Sequence, residues 1–481
     1  MTEYVEREKS MSALQPTSTA TATTTTTSRV RDDANASLSS ISSSSCMKNN
    51  LKYYYMPPEW HPHRATLILY PHNENTFRSV YSKCDMARRE ICNVARAIAC
   101  WCTNNDDNNN NKNDATERIA EDVFLFCSTK EEALELENEL SLLDETNSGS
   151  SSRGNIIVQV CKSDDTWIRD TGPTFVISTR GQQQQQAMIG LDWNFNAYGG
   201  PKEGCYWPCH NDLQIASTVI QTLQDYYSTS SNPCTEIQHQ KVDIILEGGS
   251  IQTDGEGTIL TTSECLLHPN RNPSKTQQEI ESILLQHLVT LNDDDNDKTG
   301  KVLWLPKGLA YDQDTNGHID NFCCFVKPAQ VVLAWCDESN KELDHENYKR
   351  CRQALEFLER ATDAKGRKIK VWKLSLPPPM FYTKEDIQSL QLINNYNSSD
   401  GSDEDIPGRS LGERMAASYV NFYISNNAIV VPQFGHTQSD ENAIKLLQEI
   451  YPDRNVVGVF SRDILVGGGN IHCVTQQLPL L

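Results

Sequence analysis

The sequence predicts an α/β fold, and three observations carry that prediction. Short β-rich runs alternate with helix-period runs along most of the chain. Polar low-complexity stretches interrupt the alternation without replacing it. No apolar run is long enough to read as a membrane-spanning helix.

At 481 residues the chain can bury a substantial core, as one large domain or several smaller ones. Lys and Arg number 43 against 64 Asp and Glu, a net charge of −21. That balance argues against nucleic acid and anionic membrane as partners and favours a cationic ligand. The 16 cysteines follow no regular spacing and no secretory h-region is apparent, so free thiols in a reducing, cytoplasmic compartment are expected.

Taken in order, residues 1–50 ("TSTATATTTTTS", "SLSSISSSSC") are Ser/Thr-rich and are expected to form a disordered tail. A transit peptide is the alternative reading, against which stand Glu3, Glu6 and Glu8. Residues 51–481 are expected to form a single catalytic domain. Strands are expected at "ATLILYP", "DVFLFCS", "IIVQVC", "VDIILEGG", "VLWLP", "VVLAWC" and "NAIVVPQF". Helices are expected at "EEALELENELSLL", "QQEIESILLQHL" and "ENAIKLLQEIYP". Four segments read as surface insertions: "TNNDDNNNNKND", Gln182 to Gln186, "NDDDNDK" and "NSSDGSDED". They mask any repeat period.

Five separate stretches carry residues capable of chemistry. "DDTWIRDTGPTFV" sets Trp167 and Asp170 before a turn and an apolar strand, where Asp170 either caps the turn or meets a polar ligand. "VDIILEGGS" puts Glu247 at the end of an apolar strand, a costly place for an acid unless it is paired. "DQDTNGHIDNF" places His318 and Asp320 just after a turn; in extended chain both would share one face, a proton-transfer pair in prospect. "LVGGGNIHC" brings Cys473 onto a Gly-rich loop, either as a small buried hydrophobe or as a nucleophile that a ligand can approach closely. "CYWPCH" offers Cys205, Cys209 and His210 but no second pair, so no structural zinc is expected. The distribution over strand ends resembles a pocket assembled from several segments.

Together "MPPEWHPH", "DTWIRDTGPTF", "LDWNFNAYGG", "ILEGGSIQTDGEGTILTTSECLLHPNRNP", "DTNGHIDNFCCFV", "YVNFYI", "VVPQFG" and "GGGNIHCVTQQ" resemble the agmatine deiminase family of guanidino-group-modifying enzymes. The resemblance runs from about residue 56 to 477 and leaves out only the tail and the insertions. It implies a five-bladed α/β propeller of pseudo-repeated ββαβ modules, the pentein fold. It further implies Cys473 as nucleophile, His318 as acid/base, Asp170 and Asp320 as guanidinium holders, and Glu247 as a further carboxylate of the site. Trp167 and Asp314 are expected to bind substrate, Asp314 near the distal amine. At Tyr70 the sequence departs from the family, which leads one to expect a tryptophan there.

The chemistry suits those residue types. A guanidinium is planar and a poor electrophile, and paired carboxylates can hold it bidentately for attack by a thiolate. The expected reaction is hydrolysis of agmatine to N-carbamoylputrescine and ammonia, a step in putrescine and polyamine biosynthesis. No cofactor, metal, nucleic acid or membrane partner is expected, and a homodimer is allowed for. The rival readings are an arginine or peptidyl-arginine deiminase, a non-catalytic ligand-binding member of the fold, and a zinc hydrolase.

Overall fold

Five mixed sheets organise the residues that the computed structural model describes: 51–79, 84–99, 119–144, 154–180, 185–229, 236–289, 300–397 and 409–481. The expected tail and most of the expected insertions lie outside these residues. Gln185 and Gln186 do not: they open a strand, because their backbone pairs with Arg180 and Thr179 whatever their side chains prefer.

Strands are numbered in chain order. The first sheet holds β1 (Leu51–Tyr55), β5 (Thr174–Arg180), β6 (Gln185–Asn194) and β7 (Ile237–Ile245). The next holds β8 (Ile251–Thr253), β9 (Thr258–Thr262) and β10 (Lys301–Leu305). Another is built from β11 (Cys323–Lys327), β12 (Gln330–Trp335) and β13 (Lys370–Ser375). A fourth contains β14 (Tyr423–Ile424), β15 (Ala428–Gln433) and β16 (Asn455–Phe460). The last joins the chain's two ends: β17 (Gln476–Pro479) pairs with β2 (His63–Leu69), followed by β3 (Asp122–Cys127) and β4 (Ile156–Val160).

One connection pattern recurs in all five. An antiparallel pair (β5–β6, β8–β9, β11–β12, β14–β15, β17–β2) continues through a helix into a strand parallel to the second. A parallel neighbour needs such a crossover, and the helices Ile215–Ser228, Gln277–Leu288, His345–Arg360, Thr437–Ile450 and Asp85–Ala99 supply it. The central strands β2, β3, β9 and β12 are buried almost throughout, as expected of strands covered on both faces. Gln277–Leu288 starts on a reciprocal cap: Thr276 accepts from the Glu279 amide and the Glu279 carboxylate accepts from the Thr276 amide. Its buried residues Ile280, Leu284 and Leu288 recur at four-residue spacing and pack on the second sheet. The described residues cluster as one compact unit, with no helix long and apolar enough to cross a membrane.

One local expectation changes. His318 and Asp320 do not lie in extended chain: His318 precedes a 3₁₀ turn, Ile319–Asn321, and the strand begins only at Cys323. The Asn316–Gly317 turn, both residues at positive φ, drives the chain into that turn before the ladder starts. Arg462–Val466 forms a short helix, and Gly467 ends it.

Candidate active site

The first strand of each antiparallel pair is preceded by a short irregular segment: residues 167–172 before β5, 247–250 before β8, 318–322 before β11, 418–422 before β14 and 470–475 before β17. These segments contact one another in sequence order. Gly249 N–H donates to Asp170 Oδ1 at 2.8 Å, and Glu247 Oε2 lies 3.9 Å from His318 Nε2. Asn421 Nδ2 donates to Asn321 Oδ1 at 2.8 Å and approaches Cys473 Sγ to 3.2 Å. Arg169 N–H then donates to the Cys473 carbonyl at 3.2 Å, which joins the last segment to the first.

Asp170, Glu247, His318, Asp320 and Cys473, from four of these segments, are therefore brought together. Cys473 Sγ lies 3.6 Å from Asp320 Oδ2, and His318 Nδ1 lies 3.9 Å from Asp170 Oδ1. All are buried, with His318 and Glu247 at 0% exposure. Both His318 ring nitrogens, Glu247 Oε2 and Asp320 Oδ1 lack a hydrogen-bond partner within the protein. Buried polar groups are normally satisfied, so a cluster of open donors and acceptors marks a place built for a polar guest.

Gly249 makes the convergence possible. A Cβ there would stand 2.8 Å from Asp320 Oδ2, 2.8 Å from His318 Nδ1 and 2.9 Å from Asp170 Oδ1. Gly469 does the same on the other side, since its Cβ would come within 2.5 Å of the Trp167 ring and 3.0 Å of Cys473 Cβ. Gly468 adopts φ 107°, a left-handed conformation that only glycine enters at little cost.

Neighbours set the charge states. Burial alone would raise the Glu247 carboxyl, but Arg271, whose Nε donates to it at 2.6 Å, and His318 hold it at about 2. Burial pushes Asp170 up to about 6 against the pull of His318, with Asp320 and Glu247 adding to the rise. Burial disfavours a charged His318, yet Asp170, Cys265 and Glu247 beside it keep its pKa well above the usual histidine range. Burial, then the charges of Asp320 and Asp170, push the Cys473 thiol well above its ordinary value. Before a cation enters, the thiol is thus protonated and His318 charged.

A cleft lined by Trp167, Asp170 and Gly467 to Gly469 leads to Cys473. Asp165, Asp314 and Arg409 line it as well. Asp314 Oδ2 is 3.3 Å from Arg409 Nη2. Arg409 Nε also donates to the Val466 carbonyl at 3.0 Å, and its Nη2 donates to the Gly467 carbonyl. Asp312 braces the loop, accepting from Thr315 and Asn321. Tyr70 does not line this cleft; Arg88 stacks on its ring 4.8 Å away. Among the described residues one cluster has metal-ligand proximity, Glu247 with Cys265 and His318, and Arg271 already occupies part of Glu247.

Several residues of the site are missing from the sequence reading. Tyr198 donates to Asp170 Oδ2 at 2.8 Å from a backbone with φ 70°, unusual for a bulky residue and a mark of local constraint. Asn421 accepts from the amide of His472, and Arg271 neutralises Glu247. All three sit inside stretches quoted for the resemblance, but nothing local distinguishes their side chains from loop polar residues.

Residues 55–479 match the family model described as Porphyromonas-type peptidyl-arginine deiminase. The chain is 38% identical over 426 residues to an agmatine deiminase of Pseudomonas aeruginosa, covering 89% of this chain and 95% of that one. The identity to an agmatine deiminase of Ectopseudomonas mendocina is also 38%, with the same coverage. The structure of the agmatine deiminase of Enterococcus faecalis superposes with a TM-score of 0.66 at 29% identity, covering 89% of this chain and 96% of that one.

Proposed function

We propose, for a chain that belongs to the Porphyromonas-type peptidyl-arginine deiminase family, that it hydrolyses agmatine to N-carbamoylputrescine and ammonia with Cys473 as the nucleophile. The observation that carries this reading is the set of open, buried groups around Cys473: two His318 nitrogens, one oxygen of Glu247 and one of Asp320. The two carboxylate oxygens fit a planar cation that donates in several directions at once, and the charged His318 ring beside them is a proton donor.

Asp170 and Asp320 hold the guanidinium. Its positive charge opposes the two carboxylates that otherwise keep the thiol protonated, so binding favours release of the Cys473 proton to solvent. The thiolate attacks the guanidino carbon, and His318 as imidazolium gives its proton to the departing nitrogen, which leaves as ammonia. An amidino-thioether on Cys473 remains. Neutral His318 then takes a proton from water as the oxygen adds to the same carbon. The carbon–sulfur bond breaks, and the ureido product leaves.

The charged lining of this cleft supports agmatine over arginine. Asp314 and Asp165 offer negative charge to a distal ammonium, whereas a distal carboxylate would find Arg409 already bound by Asp314 and two carbonyls. The five sheets are further proposed to be blades of one propeller, which the head-to-tail contact of their lead-in segments supports.

Ammonia release from agmatine, arginine and a peptidyl arginine tests the reading, with Cys473→Ser alongside. Turnover should favour agmatine and vanish in the variant, and acid quench should trap substrate mass on the Cys473 peptide. Retained turnover in Cys473→Ser removes the nucleophile assignment; preference for either arginine substrate removes the agmatine assignment.

A further inference from the structure

Two acidic and basic groups beneath the site have no part in the chemistry above. Glu59 lies in "MPPEWHPH", and His472 immediately precedes Cys473; both are buried. The His472 ring spans two carboxylates. Its Nδ1 is 2.8 Å from Asp320 Oδ2, and its Nε2 is 2.7 Å from Glu59 Oε1.

An ionised carboxylate oxygen only accepts, so a ring bonded to one at each nitrogen must carry a proton on both. We propose that His472 is a positioning residue: an imidazolium clamped between Glu59 and Asp320, which aims the Asp320 carboxylate at the substrate and offsets its charge beside Cys473. The inference rests on the assignment of Cys473 and Asp320 given above.

The surroundings agree. Glu59 also accepts from Gln252 Nε2 at 2.9 Å and sits 3.8 Å from Arg169 Nη1. Burial alone would raise the Glu59 carboxyl, but His472 and Arg169 hold it at about 2, so it remains ionised. Burial and Arg169 oppose a charge on His472, and the two carboxylates outweigh them to raise its pKa. Glu59 and Asp320 on one side and His472 and Arg169 on the other make a balanced set of four charges.

The clamp also explains why Asp320 is divided in function. Its Oδ2 is taken by His472, while its Oδ1 has no partner and is left for a guest. The backbone of the same histidine is fixed as well: its N–H donates to Asn421 Oδ1 at 2.9 Å and its carbonyl accepts from Arg169 Nε at 3.3 Å. Ring and backbone together set where Cys473 stands.

The first test needs no substitution in the measured protein. In a ¹⁵N-labelled full chain, with His472→Gln used for assignment, the His472 ring should show protons on both nitrogens from neutral to mildly alkaline pH. A bare nitrogen overturns the proposal, whatever the enzyme's substrate. The second uses His472→Gln and Glu59→Gln. A displaced carboxylate at the reacting carbon should lower kcat for agmatine by about 100-fold with a smaller change in KM. Iodoacetamide should also alkylate Cys473 more slowly in His472→Gln, because Asp320 then acts on the thiol without its counter-charge. If activity falls only in step with loss of folded protein, and alkylation of the folded fraction is unchanged, His472 is structural and the proposal fails. Turnover by Cys473→Ser would instead overturn the underlying assignment and leave the ring protonation to stand or fall separately.

Discussion

Asp314→Asn is the sharpest probe of substrate choice. The substitution keeps the shape of the side chain and removes its charge, 3.3 Å from Arg409. Arg409 then keeps its bonds to the Val466 and Gly467 carbonyls but has lost Asp314. A distal ammonium loses an anionic acceptor and meets an uncompensated cation. Hydrogen bonds to charged groups contribute about 1.5–3 kcal/mol, which corresponds to roughly 10- to 150-fold in kcat/KM for agmatine. The loss should fall mainly on KM, because a contact remote from the reacting carbon is made in ground and transition states alike. Arginine should hold or gain, since its carboxylate now meets a guanidinium no longer paired with a carboxylate where it met Asp314. Measuring kcat/KM for both compounds in both proteins gives the ratio. An unchanged ratio refutes the placement of the distal amine at Asp314.

Gly249→Ala should cut kcat by about 100-fold or more, because a Cβ at that point must displace Asp320, His318 or Asp170, and small displacements at a reacting centre have effects of that size. Near-normal turnover would show that these three groups are not held at their working positions. Arg271→Leu should destabilise the fold by about 3–5 kcal/mol, the usual consequence of stranding one partner of a buried ion pair, here Glu247 at 0% exposure. Urea denaturation showing a negligible change would contradict a charged Glu247. The pH dependence follows from Asp170, whose folded pKa of about 6 lies above its ordinary value. Its ionisation in the empty site therefore opposes folding as pH rises through about 6, and the stabilisation from the protonated form is complete only below the unfolded pKa. A bound guanidinium reverses that preference and lowers the pKa, so agmatine binding should release protons near pH 6 and KM should fall as pH rises towards that value. Calorimetry in buffers of different ionisation enthalpy reads the release directly; proton uptake would contradict it.

The amino-acid sequence by itself determined the class of fold and most of its elements. Hydrophobic period and β-branched runs depend on what each stretch buries, which is why "QQEIESILLQHL" coincides with Gln277–Leu288 and "DVFLFCS" with Asp122–Cys127. The motifs also held the candidate site residues: Cys473, His318, Asp170, Asp320 and Glu247 were each legible as glycine-flanked or turn-flanked groups. Their roles came through resemblance, since nothing local says that Asp320 and Cys473, 153 residues apart, approach to 3.6 Å. Tertiary structure alone decided the rest. Only contacts between segments tie Asp314 to Arg409, hold His472 between Glu59 and Asp320, and leave Gly249 no room for a side chain. The physical reason is range. Side-chain periodicity reports which face a residue buries, while charge state, open hydrogen bonds and close approach depend on partners brought from distant strands, and those partners leave no mark on the local sequence.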